Sequence, residues 1–267
     1  MVLPRPISNQ YQDITSWEAP ECTEAACEDG INSYIWKDTP EDHIPASGQY
    51  VISERFDANV YHVTTDFSVM KDIPEYDAQS EECKKYLGKE ANCLIDPTHS
   101  KIVSTANSLW SVSGGDIVAY ARKCLEWTYA NMHYGNTNTG LHTIDDLMQS
   151  MTGDCGNYAS VFISLLRAKG IPARHVVMVH GSLDEYHVRA EFYVPAYGWI
   201  PADPTWGKDY FGVFEGKYIV VSQGINTIIR DFDGKDFQAD LFQTFYGWYW
   251  YRVAGNYSFT HKCAGLN

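Results

Sequence analysis

The run Gly153-Asp154-Cys155-Gly156-Asn157 places a cysteine where a helix is predicted to begin. Backbone N–H groups in the first turn of a helix lack intrahelical partners, and the helix dipole adds positive potential there. Both effects favour the thiolate, which is the nucleophilic form of cysteine, and the same N–H groups could hold an oxyanion. A buried structural cysteine between turn glycines is the alternative. The run marks Cys155 as a candidate nucleophile and Gly156 as a candidate part of an oxyanion site.

A cysteine nucleophile needs a base, and His187 lies in a predicted strand where residue character alternates strictly. One face of that strand carries Tyr186, Val188, Ala190, Phe192 and Val194, and the other carries His187, Arg189, Glu191 and Tyr193. A histidine on a rigid strand beside a buried helix is well placed to act as a fixed base. The alternative is that the second face simply meets solvent.

Asp203 ends the next predicted strand, at 198–203. Antiparallel pairing with the strand that carries His187 would bring its carboxylate to the imidazole, fix the tautomer and stabilise the imidazolium. An aspartate before a proline is otherwise an ordinary turn residue. The three residues together, in this order, indicate a nucleophile, a base and an orienting carboxylate.

The elements that must position these residues are predicted from periodicity. Helices are expected at 116–128, from Thr143 onward and at 155–169, the last mostly apolar and therefore interior. Strands are expected at 174–180, 186–194, 198–203, 218–222 and 225–230. Helices followed by strands indicate an α+β fold, a buried nucleophile helix packed on an antiparallel sheet. Residues 1–95 read as an N-terminal extension of loops and strands, and 96–267 as the catalytic domain.

Three segments together resemble the transglutaminase-like superfamily over about residues 96–224: Gly-Asp-Cys-Gly-Asn-Tyr-Ala, Leu-Leu-Arg-Ala-Lys-Gly-Ile-Pro-Ala-Arg, and His-x3-Glu-Phe-Tyr-Val-Pro-x2-Gly-Trp-Ile-Pro-x-Asp-Pro-Thr. The resemblance implies a papain-like core with Cys155 as nucleophile, His187 as base and Asp203 as orienting carboxylate. Many members carry tryptophan two residues after the histidine. Here that residue is Arg189, so the wall of the cleft is expected to differ.

The second oxyanion donor is not fixed by these motifs, and Tyr134 and Gln149 are the candidates. No metal and no cofactor are expected, because the spacing of His175, His180 and His187 matches no common zinc pattern.

Composition restricts the partners. The 267-residue chain is 45% hydrophobic and 20% charged, which allows a packed core and excludes wholesale disorder. A net charge of −14 argues against nucleic acid and anionic membrane surfaces as partners. No apolar run approaches the ~18 residues that a membrane span needs.

Seven cysteines form a high count for a reducing compartment, so we expect a secreted or periplasmic protein whose signal segment is absent from this sequence. Proximity in loop-like stretches predicts the disulfides Cys22–Cys27 and Cys83–Cys93. Cys124 and Cys263 form either a third bridge, which is slightly favoured, or two free thiols.

The sequence thus predicts a cysteine-dependent acyl-transfer enzyme that acts on amide or peptide bonds of a protein or peptide through a thioester. Hydrolysis is preferred to amine transfer, because many bacterial relatives look like proteases or amidases. A protein-crosslinking transglutaminase and a non-catalytic binding module that retains the fold stay open as alternatives.

Overall fold

The computed structural model describes residues 2–19, 24–28, 30–36, 53–136, 140–225, 227–230 and 234–239. Its helices are α1 (Glu81–Tyr86), α2 (Ser100–Val112), α3 (Ile117–Asn131), α4 (Ile144–Ser150) and α5 (Cys155–Arg167). Its strands are β1 (Val2–Arg5), β2 (Gln12–Glu18), β3 (Glu24–Glu28), β4 (Ser33–Trp36), β5 (Arg55–Val60), β6 (Val63–Thr64), β7 (His133–Tyr134), β8 (Thr152–Gly153), β9 (Ala173–His180), β10 (Tyr186–Val194), β11 (Gly198–Ala202), β12 (Val213–Phe214), β13 (Tyr218–Gln223), β14 (Thr227–Arg230) and β15 (Asp236–Ala239). Within these residues, no helix has both the length and the apolar character that crossing a membrane requires.

The central layer is a four-stranded sheet in the order β11-β10-β9-β13, antiparallel throughout. Helices pack on one of its faces, so the predicted α+β architecture is confirmed. Helix α5 contacts β9 and β10 on one side and α2, α3 and α4 on the other. Every residue from Gly156 to Arg167 is buried, which confirms the prediction that this helix is interior.

Local sequence signals explain where the helices around the site begin. The Asp116 side chain accepts a hydrogen bond from the N–H of Ala119 at the start of α3, and Thr143 accepts one from Asp146 at the start of α4. Asp154 caps α5 in the same way. The helix ends at Arg167, two residues earlier than the sequence predicts, because Lys169 and Gly170 already form the turn that leads into β9.

The second face of the sheet is covered around His187, Arg189 and Glu191, in part by the N-terminal segment. The Tyr11 ring stacks on Phe214 at a centroid distance of 4.1 Å, and its hydroxyl donates to Glu191 at 2.7 Å. His187, Arg189 and Glu191 are 5%, 0% and 0% exposed. The alternative of a solvent-facing surface at these positions is therefore wrong.

Residues near the N-terminus also extend the sheet's hydrogen bonding. The Gln12 side chain donates to the carbonyl of Val220 at 2.9 Å and accepts from its N–H at 2.7 Å, which imitates one step of a strand pairing. Asn32 forms the same double contact with Gln223, at 2.9 and 2.8 Å. The division of the chain at residue 95 stays a prediction, and its C-terminal end lies outside the described residues.

The predicted Cys83–Cys93 disulfide is wrong, because both thiols are free. Cys83 lies buried in α1. Cys93 is half-buried, has a left-handed backbone (φ 58°) and is a hydrogen-bond neighbour of the Lys89 ammonium group. Proximity in sequence therefore did not bring the two sulfurs together.

Cys124 is also a free thiol, buried on α3 as a small core residue, so the bridge that was slightly favoured for it is wrong. Cys22, Cys263 and the side chain of Cys27 lie outside the described residues. The cysteines that the structure describes therefore give no support to export.

Replacing Gln12 with alanine should lower the free energy of unfolding by about 1–3 kcal/mol, since both backbone groups of buried Val220 lose their partner. Urea unfolding monitored by circular dichroism measures the change. Thr15→Ala, at an exposed position of the same strand, is the control and should stay within about 0.5 kcal/mol of the wild type. Equal stability of the Gln12 variant and the wild type would contradict a structural role for this segment.

Candidate active site

A short parallel pairing fixes the loop before Cys155. His133 and Tyr134 of β7 pair with Thr152 and Gly153 of β8, immediately before α5. Gly153 has to be glycine, because a Cβ there would lie 2.5 Å from the Cβ of Asn157. The β7 strand is thereby held beside the first turn of α5.

Asn157 ties the surrounding loop to the start of the helix. Its amide nitrogen donates to Asp154 Oδ1 at 2.8 Å and to the Gly140 carbonyl at 3.2 Å, and its Oδ1 accepts from the N–H of His142 at 2.8 Å. Asp154 Oδ1 also accepts from the N–H of Asn157 at 3.3 Å. This cap leaves the N–H groups of Cys155 and Gly156 without an intrahelical partner at the half-buried thiol.

The strand register brings His187 and Asp203 together as the sequence predicts. Ala190 pairs with Ala202 across β10 and β11, so Asp203 emerges beside the histidine. His187 Nε2 lies 2.6 Å from Asp203 Oδ2. The other ring nitrogen, Nδ1, is left for Cys155, whose sulfur is a hydrogen-bond neighbour of the imidazole. The three predicted residues thus form one connected chain.

Backbone groups hold the Asp203 carboxylate in its orientation. Asp203 Oδ1 accepts hydrogen bonds from the N–H groups of Thr205 at 3.0 Å and Trp206 at 3.2 Å, while Oδ2 faces the imidazole. The side chain is wholly buried. The turn that the sequence predicts at Asp203-Pro204 is therefore present. The same turn directs the Asp203 carboxylate toward His187.

Electrostatics favour the charged forms of this pair. Burial by itself lowers the pKa of His187, but the Asp203 carboxylate and the Cys155 sulfur outweigh it and raise the pKa to about 9. Burial likewise raises the pKa of Asp203, yet His187 and Arg189 bring it below its usual value. At neutral pH the pair is an imidazolium and a carboxylate.

Trp206 is a site residue that the sequence analysis missed. Its indole stacks on the His187 ring with a centroid distance of 4.2 Å and an interplanar angle of 8°. Tyr218 and Tyr210 lie against the same indole, at 5.9 and 5.0 Å. These rings shield the His187–Asp203 pair from water. The sequence feature that could have indicated this role is that Trp206 directly follows the Asp-Pro-Thr turn.

A second histidine, His175, lies behind α5. Its Nε2 is 3.2 Å from the carbonyl oxygen of Gly156 and 3.2 Å from Ser160 Oγ. Complete burial lowers its pKa to about 4, so it is neutral. His175 therefore supports the helix backbone, and His187 is the histidine that meets the thiol.

The candidate oxyanion and cleft residues have different placements. Tyr134 is 58% exposed and its hydroxyl is a hydrogen-bond neighbour of Cys155; burial and the Cys155 sulfur raise its pKa to about 12, so it is a donor at neutral pH. Gln149 instead donates to Asp145 on α4 at 2.7 Å and is exposed. Arg189 does not line the cleft, because it is completely buried behind Asp203.

A polar cavity of about 570 Å³ adjoins the β7–β8 pairing. Its lining residues are Asn136, His142, Asp146, Gln149, Ser150 and Thr152. Among the described residues, no cluster of three or more histidine, cysteine, aspartate or glutamate side chains could hold a metal ion.

Comparison with known proteins gives a family match over the segment that holds this site. Residues 105–204 match the transglutaminase-like superfamily core. The chain carries a transglutaminase-like core. This segment includes Cys155, His187 and Asp203 and all of α5, β9, β10 and β11.

Two relatives share parts of the sequence. An uncharacterized protein of Haemophilus influenzae is 28% identical over 171 residues, which are 53% of this chain and 37% of that protein. The protein-glutamine gamma-glutamyltransferase of Pseudomonas aeruginosa is 33% identical over 81 residues, 26% of this chain and 12% of that enzyme. The chain thus spans well under half the length of either relative.

A solved structure has the same fold. A protein from Cytophaga hutchinsonii, described as a putative cysteine protease, superimposes with a TM-score of 0.56 at 15% identity. The match covers 84% of this chain and 75% of that one. At this level of identity the superposition shows a shared fold.

The raised pKa of His187 makes stability depend on pH in the alkaline range. Protonated His187 contributes its full stabilisation of the fold below pH 6.5, the ordinary pKa of histidine, and this contribution is lost as the pH rises through about 9. The free energy of unfolding should fall by about 3 kcal/mol across this window relative to a His187→Gln variant. Urea unfolding at several pH values measures the difference, and parallel pH curves for the two proteins would contradict the ion pair.

Proposed function

We propose that the protein is a cysteine-dependent acyl-transfer enzyme that acts on amide or peptide bonds, with hydrolysis as its main reaction. The observation that carries this proposal is the connected chain of Cys155, His187 and Asp203 at the start of a buried helix. The transglutaminase-like core and the cysteine protease description of the Cytophaga protein support it.

The first half of the reaction forms a thioester. The Cys155 thiolate attacks the carbonyl carbon of the amide, and the C=O π electrons move to oxygen. The N–H groups of Cys155 and Gly156 and the hydroxyl of Tyr134 are the donors available to the oxyanion. As the electrons return and the C–N bond breaks, the His187 imidazolium gives its proton to the leaving amine.

The second half releases the acyl group. Neutral His187 takes a proton from water, the resulting hydroxide oxygen attacks the thioester carbon, and the C–S bond breaks to return the thiolate and the imidazolium. Asp203 stays ionised throughout and holds the ring in position. A primary amine in place of water would give amine transfer by the same steps.

Amine transfer is the second candidate function, because the Pseudomonas relative bears the name protein-glutamine gamma-glutamyltransferase. Both reactions share the thioester, so the acceptor distinguishes them. The proposed substrate is a protein or peptide. The proposed location of the enzyme is outside the cytoplasm, as a secreted or periplasmic protein. A binding module without turnover is the outcome that would refute it.

Cys155 should alkylate with limiting iodoacetamide at least about tenfold faster than the other described thiols near neutral pH. Peptide mapping by mass spectrometry measures the rates, and Cys155→Ser should abolish turnover of a peptide and amide panel. Cys93→Ser is the matched control, since Cys93 is also half-buried but lies far along the chain from the site. Fastest labelling at Cys83, Cys93 or Cys124 would contradict the nucleophile assignment.

Tyr134→Phe should lower kcat roughly 10²-fold, because an oxyanion would lose one preorganised donor. Alkylation of Cys155 should remain rapid, since iodoacetamide displacement develops no carbonyl oxyanion. Tyr129→Phe, a change at a similarly exposed tyrosine on α3, is the control. Unchanged kcat in the Tyr134 variant would exclude it as a donor.

Product analysis with and without an added primary amine separates the two reactions. Release of a free carboxylate that persists at high amine concentration is the result expected for a hydrolase. Quantitative conversion to the substituted amide would instead favour the transglutaminase candidate. A shared dependence on Cys155 is expected in either case.

A further inference from the structure

Arg189 is a buried cation at a position where nothing in the mechanism above requires one. Its side chain is 0% exposed, on the same strand and the same face as His187. Its Nη1 donates to the Val213 carbonyl at 2.8 Å and its Nη2 to Glu215 at 2.7 Å. Its Nε is buried with no hydrogen-bond partner among the described groups.

This burial is costly for the fold. The free energy cost of removing an arginine from water is offset only where its hydrogen bonds and ion pairs have excellent geometry. Replacement of buried ion pairs by apolar residues often leaves stability unchanged or raises it. The surroundings would suit an apolar side chain, since the Phe214 and Trp206 rings lie 4.9 and 5.6 Å from the guanidinium carbon. Packing alone therefore does not account for a charged residue here.

The guanidinium group faces the carboxylate that orients the base. Arg189 Nη2 is 3.5 Å from Asp203 Oδ2, the same oxygen that lies 2.6 Å from His187 Nε2. Glu215 accepts a hydrogen bond from the same Nη2, and the Val213 carbonyl accepts one from Nη1. The charged groups therefore alternate in sign from Glu215 through Arg189 and Asp203 to His187.

We infer that Arg189 is a positioning residue for the proposed acyl-transfer reaction, which holds Asp203 ionised and aimed at His187, with Glu215 fixing the guanidinium. The inference rests on the proposed function. It also gives a role to the residue that stands where many members of the superfamily carry tryptophan.

The charged and titratable surroundings of the pair come from several elements. Asp203 faces His187 and Arg189 of β10, and His187 leads on to Cys155 of α5. Arg189 faces Glu215 and also acts on the Tyr11 and Tyr218 phenols. Arg189 is therefore the one cation besides His187 that the described residues bring into ion-pair contact with Asp203.

Without Arg189, Asp203 would be a wholly buried carboxylate with Glu215 nearby and one imidazolium as its cation. Such a carboxylate takes up a proton at higher pH, and the imidazolium is then destabilised. Loss of Arg189 should consequently impair the site most at acidic pH. A purely structural role would reduce the amount of folded protein without moving the pH dependence of the sites that remain.

The test compares Arg189→Met, Arg189→Lys and the control Arg174→Met. Arg174 is also buried on this face, paired with Glu191 at 2.5 Å, and makes no described contact with Asp203. For each protein, kcat/KM on a cleaved substrate and the alkylation rate of Cys155 are measured as a function of pH. Both rates are normalised to the concentration of active sites. The alkylation readout needs no substrate.

In Arg189→Met, the acidic midpoint of both profiles should rise by about one pH unit, with a loss about tenfold larger at acidic than at alkaline pH. Arg189→Lys should return the midpoint toward the wild-type value. Arg174→Met should leave it unchanged, whatever its effect on yield.

Two further outcomes are distinguishable. If wild-type Cys155 alkylates rapidly and Arg189→Met gives profiles that superimpose on the wild type, the inference is overturned while the proposed function stands. If wild-type Cys155 alkylates no faster than Cys93 and no substrate is cleaved, the proposed function fails and the inference with it.

Discussion

His187 and Asp203 form an ion pair that is almost wholly removed from water, with 2.6 Å between Nε2 and Oδ2. Desolvating two charges costs several kcal/mol for each ion, so the pair persists only where its partners are fixed in advance. Strand register provides that fixation, because β10 and β11 pair residue by residue up to Ala202. The rest of the site can be understood as the means of keeping this pair dry, charged and directed at Cys155.

Keeping the pair dry requires a cover on the sheet face opposite α5. The rings there are those of Tyr11, from the N-terminal segment, and of Trp206, Phe214 and Tyr218, which follow Asp203 closely in sequence. The cover carries polar groups as well, since Tyr11 and Gln223 both donate to Glu191 while Arg174 pairs with it. The N-terminal segment is consequently part of the environment of the site, although Tyr11 precedes Cys155 by 144 positions.

Charge and helix geometry act in the same direction at the thiol. The first turn of α5 presents free N–H groups, and the imidazolium supplies a full positive charge beside the sulfur. Neutral His175 behind the helix adds no competing cation. The arrangement concentrates positive potential on one side of Cys155 and leaves the cleft side, where Tyr134 lies, open to a substrate.

The sequence could predict that Cys155, His187 and Asp203 lie together, because the placement of each depends on a local pattern. A glycine-flanked cysteine before an apolar run predicts a helix start, and strict alternation in 186–194 predicts which side chains share the His187 face. These local patterns predict the helices and strands themselves and the pairing of strands that are adjacent in sequence. The interior position of α5 followed from its composition in the same way.

Side-chain contacts between segments that are distant in sequence were determined by the tertiary structure alone. Arg189 was expected at the cleft wall, but the stacked rings of Tyr11 and Phe214 cover its face of the strand and the side chain is buried. Trp206 carries no periodic signal, and its stacking on His187 follows from the turn after Asp203. Cys83 and Cys93 are close in sequence and yet both are free thiols, the first buried in α1 and the second at a left-handed backbone position. Local patterns determine elements and faces, whereas contacts between faces depend on how the whole chain packs.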